Sequence, residues 1–274
     1  MAFVIDTLGK ETTPLGASII GVCEIENRLV LEDLVSQSSI ADKNYQIVHH
    51  EGPDARGIDC ALLYDPLHFK VTSSKSVKFS IPGNDRFRSR DQLVVSGELL
   101  GEKIHFIVIH WPSRRGGEAK SRPKRVEAAK LSKSIVDSLK QLDKKAKVII
   151  MGDFNDDPIS PSIADFLKAK GSTILNNNQM YNAMYEHYKR GIGTLAYRDQ
   201  WNLFDQILVT ANFLEKSANT IQFESSNIFD EEFLKRFEGK YKGAPFRTYV
   251  GKKYKGGYSD HFPVYITLKK HYTA

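Results

Sequence analysis

Cysteine is scarce in this 274-residue chain, which has only Cys23 and Cys60. Both stand in apolar stretches that read as strands, so a pair of buried reduced thiols is expected rather than a disulfide. No apolar run approaches transmembrane length and no signal peptide is visible, so a membrane-spanning helix is not expected. Internal repeats, low-complexity tracts and linkers are absent as well. With 41% hydrophobic residues, the chain can bury a sizeable core. It reads as one α/β domain over residues 1–274, although length alone also allows two smaller ones. Acidic residues are the minority charge, 33 Asp+Glu against 39 Lys+Arg, for a net +6. That surplus favours anionic partners such as nucleic acid, phosphoinositides or acidic lipid.

Short apolar runs recur at Ser18–Cys23, Tyr45–His50, Cys60–Tyr64, Leu93–Leu100, Ile104–His110, Val148–Met151, Gln206–Val209 and Val264–Leu268. Several are continuous, as expected of strands covered on both faces. Helical spacing is clearest over Pro123–Lys145, where Leu131, Ile135, Leu139 and Leu142 form one stripe. Shorter helices are expected at Met1–Leu8, Leu29–Ser36, Pro161–Lys170 and Glu231–Phe237. The Gly- and Lys-rich segments Ser113–Lys124 and Gly239–Gly257 read as surface loops, and cationic loops beside strand ends are where a polyanion is gripped. Strands mostly follow strands with helices inserted. This argues for sheets packed on sheets rather than a regular βαβ barrel.

Four polar groups stand at the ends of apolar strands. In Gly21-Val22-Cys23-Glu24, alternation sends Cys23 and Glu24 to opposite faces. Val148–Met151 runs into Gly152-Asp153-Phe154-Asn155, where a carboxylate and a carboxamide one residue apart point the same way and Gly152 permits close backbone approach. Taken alone, that string reads equally well as a turn. Asp205 opens an apolar strand, where an unpartnered carboxylate is costly, so a metal, a histidine or a basic side chain is expected beside it. Gly256-Gly257-Tyr258-Ser259-Asp260-His261 precedes the last strand.

The set in this order resembles the endonuclease/exonuclease/phosphatase superfamily, over roughly Ile19 to Leu268. That superfamily includes abasic-site endonucleases, pancreatic-type deoxyribonucleases, inositol-polyphosphate phosphatases, sphingomyelinases and deadenylases. Phe106–Pro112, with His110 at its end, is similar to the family strand that ends in a catalytic histidine or tyrosine. The longer string His110–Gly117 resembles a bacterial branch.

The resemblance implies a four-layer αββα sandwich of two packed mixed β-sheets flanked by helices. It also implies a first strand with a metal-organising asparagine, and this sequence lacks both, so it reads as truncated at its start. A cytoplasmic location is expected, with a secreted or periplasmic one left open by that start. By resemblance, Glu24 and Asp260 are metal ligands for Mg²⁺ or Mn²⁺. Asp153 activates water, Asn155 and His110 contact phosphate oxygens, and Asp205 orients His261. Asp59 is the expected orienting partner of His110. Arg114, Arg115, Arg125 and Trp201 are expected on the substrate side, with Trp111 and Tyr258 as further stacking candidates. The implied activity is divalent-metal-dependent hydrolysis of phosphodiesters, foremost in nucleic acid. The alternatives are a phosphatase or phospholipase acting on inositol phosphates or sphingomyelin, and a catalytically impaired polyanion-binding module.

Overall fold

The computed structural model describes residues 1–197 and 199–272. A three-stranded antiparallel sheet holds β1 (Ile19–Ile25), β2 (Gln46–His49) and β3 (Asp59–Tyr64), with β3 in the middle. A seven-stranded sheet begins with β4 (Phe69–Val77), β5 (Gln92–Leu99), β6 (Glu102–His110) and β7 (Lys147–Asp153). It continues through β12 (Asp205–Thr210) and β9 (Met180–Asn182) to β8 (Ala169–Lys170) at the far edge. The sheet is mixed, because β6 and β7 run parallel while β7 and β12 run antiparallel. β13 (Ile221–Ile228) pairs with β16 (Val264–Lys270), and two hairpins complete the strands: β10 (Leu195–Tyr197) with β11 (Gln200–Asn202), and β14 (Tyr249–Val250) with β15 (Lys253–Tyr254).

Pleating explains why the apolar runs are continuous. Cys60 and Leu62 of β3, Phe106 and Val108 of β6, Ile149 of β7 and Ile207 and Val209 of β12 share the core between the sheets. Ile107 and Ile109 of β6, and Val148 and Ile150 of β7, face the other way, against Ala128, Ala129, Ile135 and Val136 of a long helix. On the opposite side Ala61 and Leu63 of β3 meet Ile5 and Leu31 of two shorter helices. The result is helix, sheet, sheet, helix, the expected four-layer α/β sandwich, with each central strand covered on both faces.

The short helices are α1 (Ala2–Thr7) and α2 (Arg28–Val35), and the long one is α3 (Glu118–Leu142). The α2 start is set by Asn27, whose side chain accepts the Val30 amide at 3.1 Å. Here the structure corrects the sequence reading. α3 begins five residues before Pro123, so more than half of Ser113–Lys124, expected as a loop, is helical, and Leu142 is exposed rather than on the buried stripe. The helix expected at Pro161–Lys170 is a π-helical turn, Ser162–Phe166, and that at Glu231–Phe237 is a 3₁₀ turn, Glu232–Leu234. A fourth helix, α4 (Tyr185–Lys189), and the strands β4 and β13 were not anticipated. Cys23 and Cys60 face each other across β1 and β3 and are unbonded.

Candidate active site

Strand register assembles the site. His110 ends β6 and pairs with Asp153, which ends β7, and Asp153 pairs in turn with Asp205, the first residue of β12. Three candidate side chains thus stand in one row across three adjacent strands. His261, from the loop before β16, closes on the row with Nδ1 2.8 Å from Asp205 Oδ2. His110 Nε2 lies 3.4 Å from Asp153 Oδ2. The carboxylates of Asp153 and Asp205 and a ring nitrogen of His261 lie within 4.8 Å of one another.

Backbone strain holds this geometry. Gly152 has φ +138°, and a Cβ there would lie 1.9 Å from the Ile109 carbonyl oxygen on β6. Only glycine lets β7 approach β6 so closely just before Asp153. Asn155 adopts φ 52° and folds back on Asp153. Its backbone amide donates to Asp153 Oδ1 at 2.8 Å, and its Nδ2 donates to Asp153 Oδ2 and to the Trp111 carbonyl, each at 3.0 Å. Both side-chain amide hydrogens are therefore committed inside the protein. Asn155 thus orients the Asp153 carboxylate.

Three charge states follow. Burial pushes the Asp153 carboxyl from 3.8 up to about 7, with the Asp205 charge adding to the shift and His261 opposing it. Burial disfavours the His261 imidazolium, but the Asp205 carboxylate, with smaller contributions from Asp153 and Asp260, outweighs it and raises His261 to about 10. Burial and the charges of Arg90, Arg56 and His261 hold His110 well below its ordinary range. The row thus presents a neutral imidazole, a carboxyl that titrates near neutrality and an imidazolium.

Glu24 sits in a bulge of β1 at φ 62°, with an exposed carboxylate 3.4 Å from Arg56 Nη1. Asp260 is exposed beside His261. Exposed carboxylates such as those of Glu24 and Asp260 are the ligand type a hard divalent ion takes, and Asp153, Asp205 and His261 lie close enough together to share one. His261 suits one poorly, because its Nδ1 is engaged by Asp205 and the ring is held protonated.

The remaining candidates are placed differently from expectation. Arg125 is wholly buried, with Nε 2.7 Å from Asp156 Oδ2, so it cannot touch substrate. Arg114 holds the same loop, reaching Asp156 at 3.0 Å and Asp157 at 3.1 Å. Arg115 is exposed. Asp59 faces the buried His49, 3.3 Å away, and not His110, whose acidic neighbour is Asp153. Trp111 is a core residue set edge-on to Phe154, and Tyr258 is set edge-on to Phe233. Trp201 is 43% exposed and lies nearly parallel to Phe262. These two rings, with Phe237, Arg236 and Lys242, wall an open cavity of about 810 Å³ beside His261.

The sequence reading missed Arg90. It donates to the carbonyls of His110 at 3.1 Å and Trp111 at 2.6 Å, and is anchored to Asp54 at 3.2 Å. A side chain that acts on backbone twenty residues away leaves no local signal.

Residues 1–270 match the profile of the Endonuclease/Exonuclease/phosphatase family. The chain belongs to this family of phosphoester hydrolases. A search of curated protein sequences returns no match at a significant level. Among solved structures, the fold of this family member is shared by a humanized D. rerio TDP2 carrying 14 mutations. The TM-score is 0.61 at 17% identity, over 98% of this chain and 91% of that one. The Bacteroides thetaiotaomicron mannosyl-6-phosphatase Bt3783 matches with the same score and identity, over 98% and 90%. ANGEL2, a 2′,3′-cyclic phosphatase, matches at 0.61 and 15% identity, over 94% and 83%.

Proposed function

We propose that the chain hydrolyses phosphodiester bonds in nucleic acid with a divalent metal ion. The observation that carries this reading is the row of His110, Asp153 and Asp205 closed by His261. Asp153 is the base: a carboxyl titrating near 7 can take the proton of the attacking water at neutral pH. Asn155 orients that carboxylate. Asp205 fixes the His261 tautomer and keeps the ring charged, so the imidazolium meets negative charge building on the phosphate oxygens. His110, neutral, offers an uncharged contact on the other flank of Asp153.

Glu24 and Asp260 would hold Mg²⁺ or Mn²⁺. Bound there, the ion supplies Lewis-acid stabilisation of the phosphate and the departing oxygen. Charge supports a nucleic-acid substrate. Residues 235–255 carry eight Lys or Arg against one Glu, while the rest of the chain has 31 basic against 32 acidic residues. The whole positive surplus thus lies in the loop that leads into Asp260 and His261. A fold neighbour, D. rerio TDP2, is described in complex with single-strand DNA product.

Nicking of supercoiled plasmid with Mg²⁺ or Mn²⁺ tests the reading. Native chain should nick, EDTA should stop it, and Asp153→Ala should lose at least about a hundredfold in rate. Equal nicking by both proteins would sink the site assignment. Absence of nicking with turnover of a sugar phosphate would transfer the same site to small phosphoesters, the chemistry named for the Bt3783 neighbour.

A further inference from the structure

The β14–β15 hairpin has no role in the chemistry above, yet it is built in an unusual way. Its strands are two residues each, paired Tyr249 to Tyr254 and Val250 to Lys253 around Gly251 at φ +61°. Hairpins of this size are marginal in water without an apolar face to bury. This one leaves about half or more of each apolar side chain in solvent: Tyr249 is 58%, Val250 46% and Tyr254 66% exposed. The two rings meet edge to face, centroids 5.4 Å apart at 65°, so they brace each other and leave ring faces open. Lys252, Lys253 and Lys255 are exposed on the same hairpin and form no ion pair among the described residues. Other cations of the loop are neutralised locally, Lys240 by Asp199 and Lys235 by Asp230 and Glu232.

The hairpin is rooted directly on the active site. The Lys255 amide donates to the Thr248 carbonyl, and the Thr248 hydroxyl donates to the carbonyls of Gly257 and Tyr258. The two legs meet so closely that a Cβ on Gly257 would lie 1.9 Å from the Phe246 carbonyl oxygen. Asp260 and His261 follow within four residues of Gly257. The cavity walled by Trp201, Phe237 and Phe262 reaches the site through Phe262, the residue after His261.

Open ring faces interleaved with unpaired lysines match a ligand carrying repeated phosphates and free π-faces. We infer that this hairpin binds single-stranded nucleic acid alongside the scissile phosphate. Unstacked bases lie on Tyr249 and Tyr254, and Lys252, Lys253 and Lys255 meet the backbone. A duplex offers the phosphates but keeps its bases stacked on each other, so it meets only half of this surface. An anionic membrane would meet the lysines, but the hairpin offers only Val250 as an aliphatic residue to insert. The inference rests on the nucleic-acid reading of the active site for its substrate, but the binding it describes needs no metal.

Anisotropy of a labelled oligothymidylate of about twelve nucleotides, titrated in EDTA at roughly 50 to 200 mM salt, tests it. Native chain should bind the single strand more tightly than a duplex of the same length. Lys252→Ala/Lys253→Ala/Lys255→Ala should flatten the log-affinity against log-salt slope by about two. Tyr249→Ala/Tyr254→Ala should weaken binding by roughly five- to a hundredfold, and Tyr249→Phe/Tyr254→Phe should restore it. Circular dichroism confirms that each variant is folded. Equal affinity for duplex, unchanged binding by the alanine pair, or capture of phosphatidylserine vesicles in place of the oligonucleotide would each overturn the inference. Binding with these signatures but no metal-dependent cleavage would leave the hairpin assignment standing and remove the hydrolytic one. Cleavage with unchanged binding by the alanine pair would do the reverse.

Discussion

Asp153 carries the sharpest consequence at the scale of single residues. Its carboxyl is held protonated up to about 7, against 3.8 for an ordinary aspartate. Between those values the folded chain binds a proton that the unfolded chain has released, so stability falls as pH rises through that window. His261, raised from 6.5 to about 10, adds stability that is complete below 6.5 and is lost as pH climbs through 10. In EDTA, the melting temperature of the native chain should therefore decline from pH 5 to pH 10. Asp153→Asn should flatten the lower part of that decline, and a parallel curve for the variant would refute the assignment. A divalent ion bound in this site favours the ionised Asp153 carboxylate, so apparent Mn²⁺ affinity should rise with pH up to about 7 and then level off. Titration calorimetry in two buffers of different ionisation enthalpy reads the proton release directly. Glu24, Asp153, Asn155, Asp205, Asp260 and His261 stood out as candidates because each lies in a short string at a strand end. Arg90 and Asp54 did not, since Arg90 acts on backbone about twenty residues away and Asp54 on the distant Arg90 side chain.

Elements decide what the basic residues do. Arg125 looked like a substrate ligand because it follows a run of cations, but α3 turns it inward onto Asp156, which also accepts from Ser162 at 2.6 Å and from Arg114. Both members of that pair are fully buried, so Arg125→Ala takes from an interior carboxylate its one fully buried counter-charge and leaves Arg114 and Ser162 to hold it. A loss of about 3–5 kcal/mol in urea unfolding is expected. A variant that keeps its stability but loses substrate affinity would restore the original reading. Gly152 makes the complementary case for β7. A side chain there must push away the Ile109 carbonyl, so Gly152→Ala should cost on the order of 3 kcal/mol and displace Asp153 from the row. Loss of stability together with loss of the Asp153-dependent pH window is the expected signature. The long strands were legible from their apolar runs. β4, with Lys70, Thr72, Ser73, Ser74 and Lys75 along it, was not, because an exposed edge strand needs no apolar alternation.

At the scale of the whole molecule, both sheets contribute to one inter-sheet core, from Leu62 of β3 to Phe106 of β6 and Val209 of β12. Removal of either sheet exposes the other, so residues 1–274 should unfold in a single urea transition, with fluorescence and circular dichroism coincident. Two separated transitions would mean two domains. The sequence by itself determined the layers, because continuous apolar strands require cover on both faces, and it determined which strand ends carry carboxylates and histidines. Only the tertiary structure decided how they are arranged. Register brought His110, Asp153 and Asp205 side by side, burial set their charge states, and the loop after β13 gathered the surplus positive charge beside them. Spacing along a chain dictates local pattern. The dielectric and the neighbours a side chain meets depend on strands far apart in sequence, and they exist only once those strands have paired.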